Sequence, residues 1–229
     1  LQNISSSGNS YAFPSGSQPF TLRASADGTK FFHVDPSTDT VYAHNLSTAW
    51  DITTASAGAS LSVAAQETTP RGLQFNNDGT RVYVCGDTGD DINQYSLSTP
   101  YDLSTATFLN ATSYAAETTI GKILLFNGDG RKLYLEASNT SFVRYSLSTP
   151  YDTSTISYDG VQDILPSFDE SIADAQFYNN GSMLYVVSTW FMYKYSLSTP
   201  YDLSTAMLSE KISTISISAQ TNGLLVKFD

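Results

Sequence analysis

The sequence predicts an all-β fold built from repeated units, and three observations carry that prediction. The phrase "YSLSTPYDLST" stands at 95–105 and again, unchanged, at 195–205, with "YSLSTPYDTST" at 145–155 and a looser "HNLSTAWDITT" at 44–54. A second marker, Asp-Gly or Asn-Gly followed by a β-rich run, closes on Gly28, Gly79, Gly130 and Gly181, each 51 residues after the last, and recurs at Gly223. No window holds a sustained helical apolar period, and turn residues bound every apolar run.

Two markers that keep one period define a unit of about fifty residues. Within each unit the first strand and its turn read "FTLRASADG" (20–28), "RGLQFNNDG" (71–79), "KILLFNGDG" (122–130) and "DAQFYNNGS" (174–182). Asn, Asp and Gly reach positive φ at little cost, so a tight hairpin follows. The second strand is "TKFFHVD", "TRVYVCG", "RKLYLEA" or "SMLYVVS", where Val82 and Val84 alternate with Tyr83 at the period of a strand. The third is "VYAHNLS", "INQYSLS", "FVRYSLS" or "MYKYSLS", and the fourth follows the Leu-Ser-Thr phrase.

"LSTPYD" is therefore the turn between third and fourth strands. Leu97, Leu147 and Leu197 end the third strand facing the core, and Pro100, Pro150 and Pro200 pre-set φ for the turn. Asp51, Asp102, Asp152 and Asp202 are placed to accept hydrogen bonds from turn amides. Four-stranded units with turns at fixed offsets predict a β-propeller. Its blades fall near 14–64, 65–115, 116–166 and 167–215 of a single domain spanning 1–229, with Phe75, Phe126, Phe177, Leu22, Leu73 and Leu124 between the blades. Residues 217–229 carry another Asn-Gly turn, and 1–13 align with an outer strand. The expectation is a short fifth blade made of 216–229 and 1–13. The chain starts at Leu1 rather than Met, which reads as a piece of a longer product.

Composition narrows the partners. The 229 residues include 15 Tyr and 12 Phe, only 14% are charged, and the formal net charge is −11. That balance repels phosphate backbones and offers no basic cluster, so neither nucleic acid nor an anionic membrane is an expected partner. No apolar run is long enough to insert in a bilayer. A single cysteine, Cys85 in "RVYVCG", excludes an intrachain disulfide and reads as a small buried apolar residue.

The stretch "AQETTPRGLQFNNDGTRVYVCGDTGDDINQYSLSTPYDLSTATF" (65–108) resembles, along its whole length, a repeat of the form "SQETTPRGLxFKPDGTKMYVVGxxxDTVYQYxLSTPWDVSTASY". That repeat belongs to a β-propeller family, related to YVTN-type propellers, found in virion and tail-associated proteins of marine phages and in bacterial surface proteins. The resemblance covers essentially the whole chain and is looser in the first and fourth units. It implies an extracellular or virion-surface setting and a structural or adhesive role, and it carries no catalytic signature.

The expectation for function is accordingly a non-enzymatic structural and adhesive module meeting other virion or cell-surface proteins. A multivalent lectin binding glycans is one alternative. A filament subunit, self-associating by strand exchange, is another. Candidate ligand-binding residues are the aromatics before each turn aspartate, Trp50, Tyr101, Tyr151 and Tyr201, together with Trp190 and Phe191 in the last loop between second and third strands. Those loops, "DPSTD", "GDTGDD", "ASNTS" and "VSTWFM", vary while the strands repeat, and they share the face opposite "LSTPYD". Calcium is the one candidate cofactor, at Asp87, Asp90 and Asp91, because oxygen-rich loops suit a hard cation. The histidines His33 and His44 lie on adjacent strands of one unit with no third imidazole or thiolate nearby in sequence to complete a zinc site. First-strand positions read as mainly aromatic and aliphatic, which argues against ionisable groups converging on a propeller axis.

Overall fold

The computed structural model describes residues 11, 13, 19–118, 120–168 and 170–213. Four antiparallel sheets each hold four strands in chain order. Blade 1 is β1 (Phe20–Ala24), β2 (Lys30–Asp35), β3 (Thr40–Leu46) and β4 (Ala55–Ser62). Blade 2 is β5 (Pro70–Phe75), β6 (Arg81–Gly86), β7 (Asp91–Leu97) and β8 (Ala106–Ser113). Blade 3 is β9 (Leu124–Phe126), β10 (Lys132–Ser138), β11 (Ser141–Leu147) and β12 (Ile156–Ile164). Blade 4 is β13 (Asp174–Tyr178), β14 (Met183–Val187), β15 (Phe191–Leu197) and β16 (Ala206–Ser213).

The first strands are the inner ones. β1 touches β5, β5 touches β9 and β9 touches β13, whereas the fourth strands β4 and β8 are largely exposed, as rim strands are. The fold is thus a β-propeller with four four-stranded blades among the described residues. The fifth blade expected from 216–229 and 1–13 lies outside the described residues, except for Tyr11 and Phe13.

Apolar faces join the blades. Phe32, Val34 and Val41 of blade 1 meet Leu73, Phe75, Val82 and Val84 of blade 2. Tyr83 and Cys85, on the other face of β6, meet Leu124, Leu133 and Leu135 of blade 3. A strand packed on both faces needs apolar residues at every position, which is why β6 is buried almost throughout.

The repeated phrase has two jobs. Within its own blade, Asp102 Oδ1 accepts from Ser104 N at 3.0 Å and caps a single 3₁₀ turn (Leu103–Thr105); Asp51, Asp152 and Asp202 repeat the arrangement. Tyr101, Tyr151 and Tyr201 take φ of 57°, 59° and 63°, and Trp50 takes 64°. Positive φ after Pro is the geometry of a type II turn, where glycine is usual. The ring is held against a real glycine: a Cβ at Gly79, itself at φ +71°, would lie 2.3 Å from the Tyr101 ring. The aromatic thus covers the hairpin turn of its own blade. Across the blade boundary, the same residue's carbonyl is the acceptor. Lys30 Nζ donates to Tyr101 O at 3.1 Å, Tyr83 Oη to Tyr151 O at 2.6 Å, and Tyr134 Oη to Tyr201 O.

One departure from the repeat is explained by its partner. Thr153 replaces the leucine of "YDLST", and its N and Oγ1 both donate to Gln94 Oε1, at 2.8 and 2.7 Å, across a fully buried boundary. At the preceding boundary the corresponding pair is Leu103 with Ala43. Thr153→Leu is expected to cost about 1–3 kcal/mol in urea unfolding, because the Gln94 amide is stranded without its partner. Adding Gln94→Ala should recover most of that loss.

Candidate functional site

The inner strands bring charged residues to the axis. Arg23 of β1 and Asp174 of β13, 151 residues apart, form a bidentate pair at 2.8 and 3.0 Å, with both side chains nearly fully buried. Arg23 also donates to Leu22 O at 2.8 Å, and Asp174 Oδ1 accepts from Ala175 N at 2.8 Å. The sequence expectation that first-strand positions keep ionisable groups off the axis is corrected by this pair and by Arg71 and Lys122. Those two stand eight residues before Gly79 and Gly130, the phase that Phe20 and Ala173 occupy in blades 1 and 4.

That phase lines a cavity of about 180 Å³ walled by Phe20, Thr21, Arg71, Lys122, the 171–173 connection and Thr189. All four blades contribute. Two bulges help to build it: the register of β1 slips between Phe20 and Leu22, and that of β5 between Pro70 and Gly72. The extra residues are Thr21 and Arg71, and a bulge re-aims the side chain it carries. Gly72 allows the next wall to approach, since a Cβ there would lie 2.4 Å from Cys85 Sγ and 2.5 Å from Lys122 O. Gly72→Ala should therefore displace Lys122 as well as strain β5.

Arg71 is held in place by an ion pair with Asp87 and lies 4.5 Å over the Phe20 ring. Beside Lys122, on the second strand of blade 3, Glu136 is 1% exposed and its Oε2 has no hydrogen-bond partner. Burial pushes the Glu136 carboxyl up to about 8; Lys122 opposes the rise and Asp87 adds to it. Cys85, the equivalent residue of blade 2, is a buried free thiol pushed far up by burial and by Glu67 and Glu136. Glu67 accepts from the amides of Thr69, Thr88 and Gly89 at 2.7–3.3 Å.

The candidates read from sequence are placed elsewhere. Trp50, Tyr101, Tyr151 and Tyr201 stand one to a turn and are not brought together, on the face away from the cavity. The last three are spent on blade contacts. Trp190 is 57% exposed; Phe191 lies half-buried under Lys211, whose Nζ is 4.0 Å from the ring centroid. Of the calcium candidates, Asp87 is committed to Arg71, and Asp90 O accepts from Tyr114 N at 2.9 Å. Among the described residues, no group of three or more His, Cys, Asp or Glu is arranged to hold a metal ion. His33 and His44 do meet, Nδ1 to Nε2 at 3.1 Å, and both are buried. No helix among the described residues is long and apolar enough to cross a membrane.

Of the variable loops, "GDTGDD" supplies Asp87, the partner of Arg71, and "VSTWFM" supplies Thr189 to the cavity wall. The lining residues themselves were missed. Their signal is a fixed repeat phase at which the residue changes from blade to blade: Phe20, Arg71, Lys122, Ala173.

No family model and no curated protein matches the sequence. Among solved structures, the chain is similar to a putative 6-phosphogluconolactonase from Bacteroides uniformis, with 17% identity, a TM-score of 0.54, and coverage of 86% of this chain and 55% of that one. It is similar to the periplasmic gluconolactonase of Pseudomonas aeruginosa at 14% identity and TM-score 0.53, covering 86% and 53% of the two chains. It is also similar to hydrazine synthase of Kuenenia stuttgartiensis at 13% identity and TM-score 0.52, covering 89% and 51%. The chain thus spans about half the length of each of these structures. At such identities the likeness shows the fold alone. It nevertheless corrects the expected non-enzymatic structural and adhesive role, with its lectin and filament variants: neighbours in this fold are named as lactonases, and the fold does not set enzymes aside.

Proposed function

We propose that this propeller binds a small oxygen-rich molecule in its axial cavity and that ring opening of a sugar lactone is the reaction carried out there. The observation that supports it most is the cavity itself, to which each of the four blades contributes through its inner strand or the loops beside it, with two cationic side chains and several hydroxyls. Ligand sites are typically concave, with a few placed polar groups. The lactonase names of two similar structures support the choice of reaction. In that reaction water adds to the lactone carbonyl, the ring C–O bond breaks, and a hydroxy-carboxylate and a proton leave.

The test is a pH-stat assay with glucono-δ-lactone. Hydrolysis above the buffer rate, lost when Ala173→Trp fills the cavity of a folded protein, is the expected result. A rate equal to buffer at all lactone concentrations would remove the enzymatic part.

Kinship with the phage and bacterial-surface repeat family, and the extracellular or virion-surface setting that it implies, are part of this proposal, supported by the matching repeat period. So is a fifth, closing blade drawn from 216–229 and 1–13. Tyr11 and Phe13 pack on Phe31, His33 and His44, the face of blade 1 that corresponds to the blade-1-facing side of blade 2. Deleting residues 1–13 should lower the melting temperature by several degrees; unchanged melting would count against closure by that segment.

A further inference from the structure

The charges around the cavity are unequally matched. Arg23 is bound by Asp174, and Arg71 is bound by Asp87. Glu67 is satisfied by three main-chain amides. Lys122 reaches the cavity but makes no ion pair among the described residues. The carboxyl group that senses its charge is Glu136, which is almost fully buried and has one oxygen with no partner. We propose that the axial cavity selects small monoanions, a hydroxy-carboxylate above all, with Lys122 as the cation that receives the charge and Glu136 as the neighbour that decides whether Lys122 is available. This deepens the reading of the cavity as the ligand site and rests on it.

The physical logic is one of compensation. A buried carboxyl with one unpartnered oxygen favours its neutral form, and for Glu136 the main-chain hydrogen bond from Lys122 does not outweigh the desolvation. Below about 8 Glu136 is protonated, which leaves Lys122 without an ion-pair partner among the described residues. An incoming carboxylate supplies the missing charge, and a charge-assisted hydrogen bond to an ammonium is stronger than a neutral one. Above that pH Glu136 ionises beside Lys122 and competes with the ligand. The other titratable groups that act on this corner are Asp87, which faces Arg71, and Cys85, whose thiol stays protonated. The space is small beside the pockets of about 300–1,000 Å³ that take drug-sized ligands, and suits a compact metabolite. Thr21 and Ser171 add hydroxyls to the wall, and Phe20 adds an apolar face.

The experiment is isothermal titration of the whole chain with three probes: gluconate, its neutral counterpart sorbitol, and inorganic phosphate. At pH 7 gluconate should bind at least about tenfold more tightly than sorbitol, and Lys122→Met should remove that preference. Lys122 is only half-buried, so the variant should keep its fold and melting temperature. Raising the pH from 7 to 9 should weaken gluconate binding, and Glu136→Gln should bind it equally at both pH values. Equal binding of gluconate and sorbitol, or a preference untouched by Lys122→Met, would overturn the anion assignment while the cavity remains a ligand site. Binding that persists when Ala173→Trp fills the cavity, or no heat with any of the three probes, would overturn the cavity reading itself. Phosphate binding as tight as gluconate would overturn the hydroxy-carboxylate class.

Discussion

Asp174→Ala should destabilise the protein by about 3–5 kcal/mol, the usual cost of removing one partner of a buried ion pair. The change strands the Arg23 guanidinium, which is 2% exposed and already has an Nε with no hydrogen-bond partner. For a chain of this size that loss corresponds to a fall of roughly 10 °C in melting temperature. The effect depends on blade 4 meeting blade 1 at the axis, because the pair links β13 to β1. Replacing both partners together, Arg23→Met with Asp174→Leu, removes the uncompensated charge and should recover most of the loss. A double-mutant cycle in urea then gives the coupling directly. Single variants that unfold like the parent would mean that the two residues do not meet.

The second large effect is on acid stability. His33 and His44 share one hydrogen bond at 3.1 Å, for which the accepting ring must be neutral. His44 is stacked on Phe31 at 4.4 Å, His33 stacks on Tyr42 at 5.2 Å, and Tyr11 and Phe13 close over them. Burial lowers both histidines to about 4; for His33 the His44 charge adds to the drop and Asp35 opposes it. The unfolded chain takes up protons near the ordinary histidine value, and the folded chain resists until far lower. The neutral pair therefore contributes its full stability above about 6.5, and that contribution is lost as pH falls toward 4. Each histidine adds a slope of up to about 1.4 kcal/mol per pH unit across that window. The repeat itself supplies the control. The equivalent positions of blade 2 are Val84 and Tyr95, so His33→Val with His44→Tyr should flatten the acid limb between pH 6.5 and 4.5. A parallel pH profile in parent and variant would show that the pair is not the sensor.

The blades were legible because a repeat announces whatever stays the same. Gly79 and its equivalents mark the hairpins, Leu97 ends a core strand, and Asp102 caps the turn that its position suggested. What the sequence hid is what the blades do not share. Thr153, which follows "LSTPYD" where two other units have leucine, is explained only by Gln94 opposite it. Arg71 and Lys122 sit at one repeat phase, but their convergence depends on bulges and on Gly72, neither of which has a period. Arg23 and Asp174 occupy different phases and are joined only by the ring's curvature. Aromatic residues misled in the other direction: Tyr101 and Tyr151 repeat conspicuously, and their repetition serves the blade boundaries.

A crystal structure of the chain grown with gluconate tests most directly whether inner strands from four blades enclose one ligand site. It should show Arg23 bound to Asp174 and the carboxylate of gluconate against Lys122 Nζ, between Phe20 and Thr189. Inner strands that fail to meet, or gluconate bound on the outer faces with the space beside Lys122 holding only solvent, would contradict it.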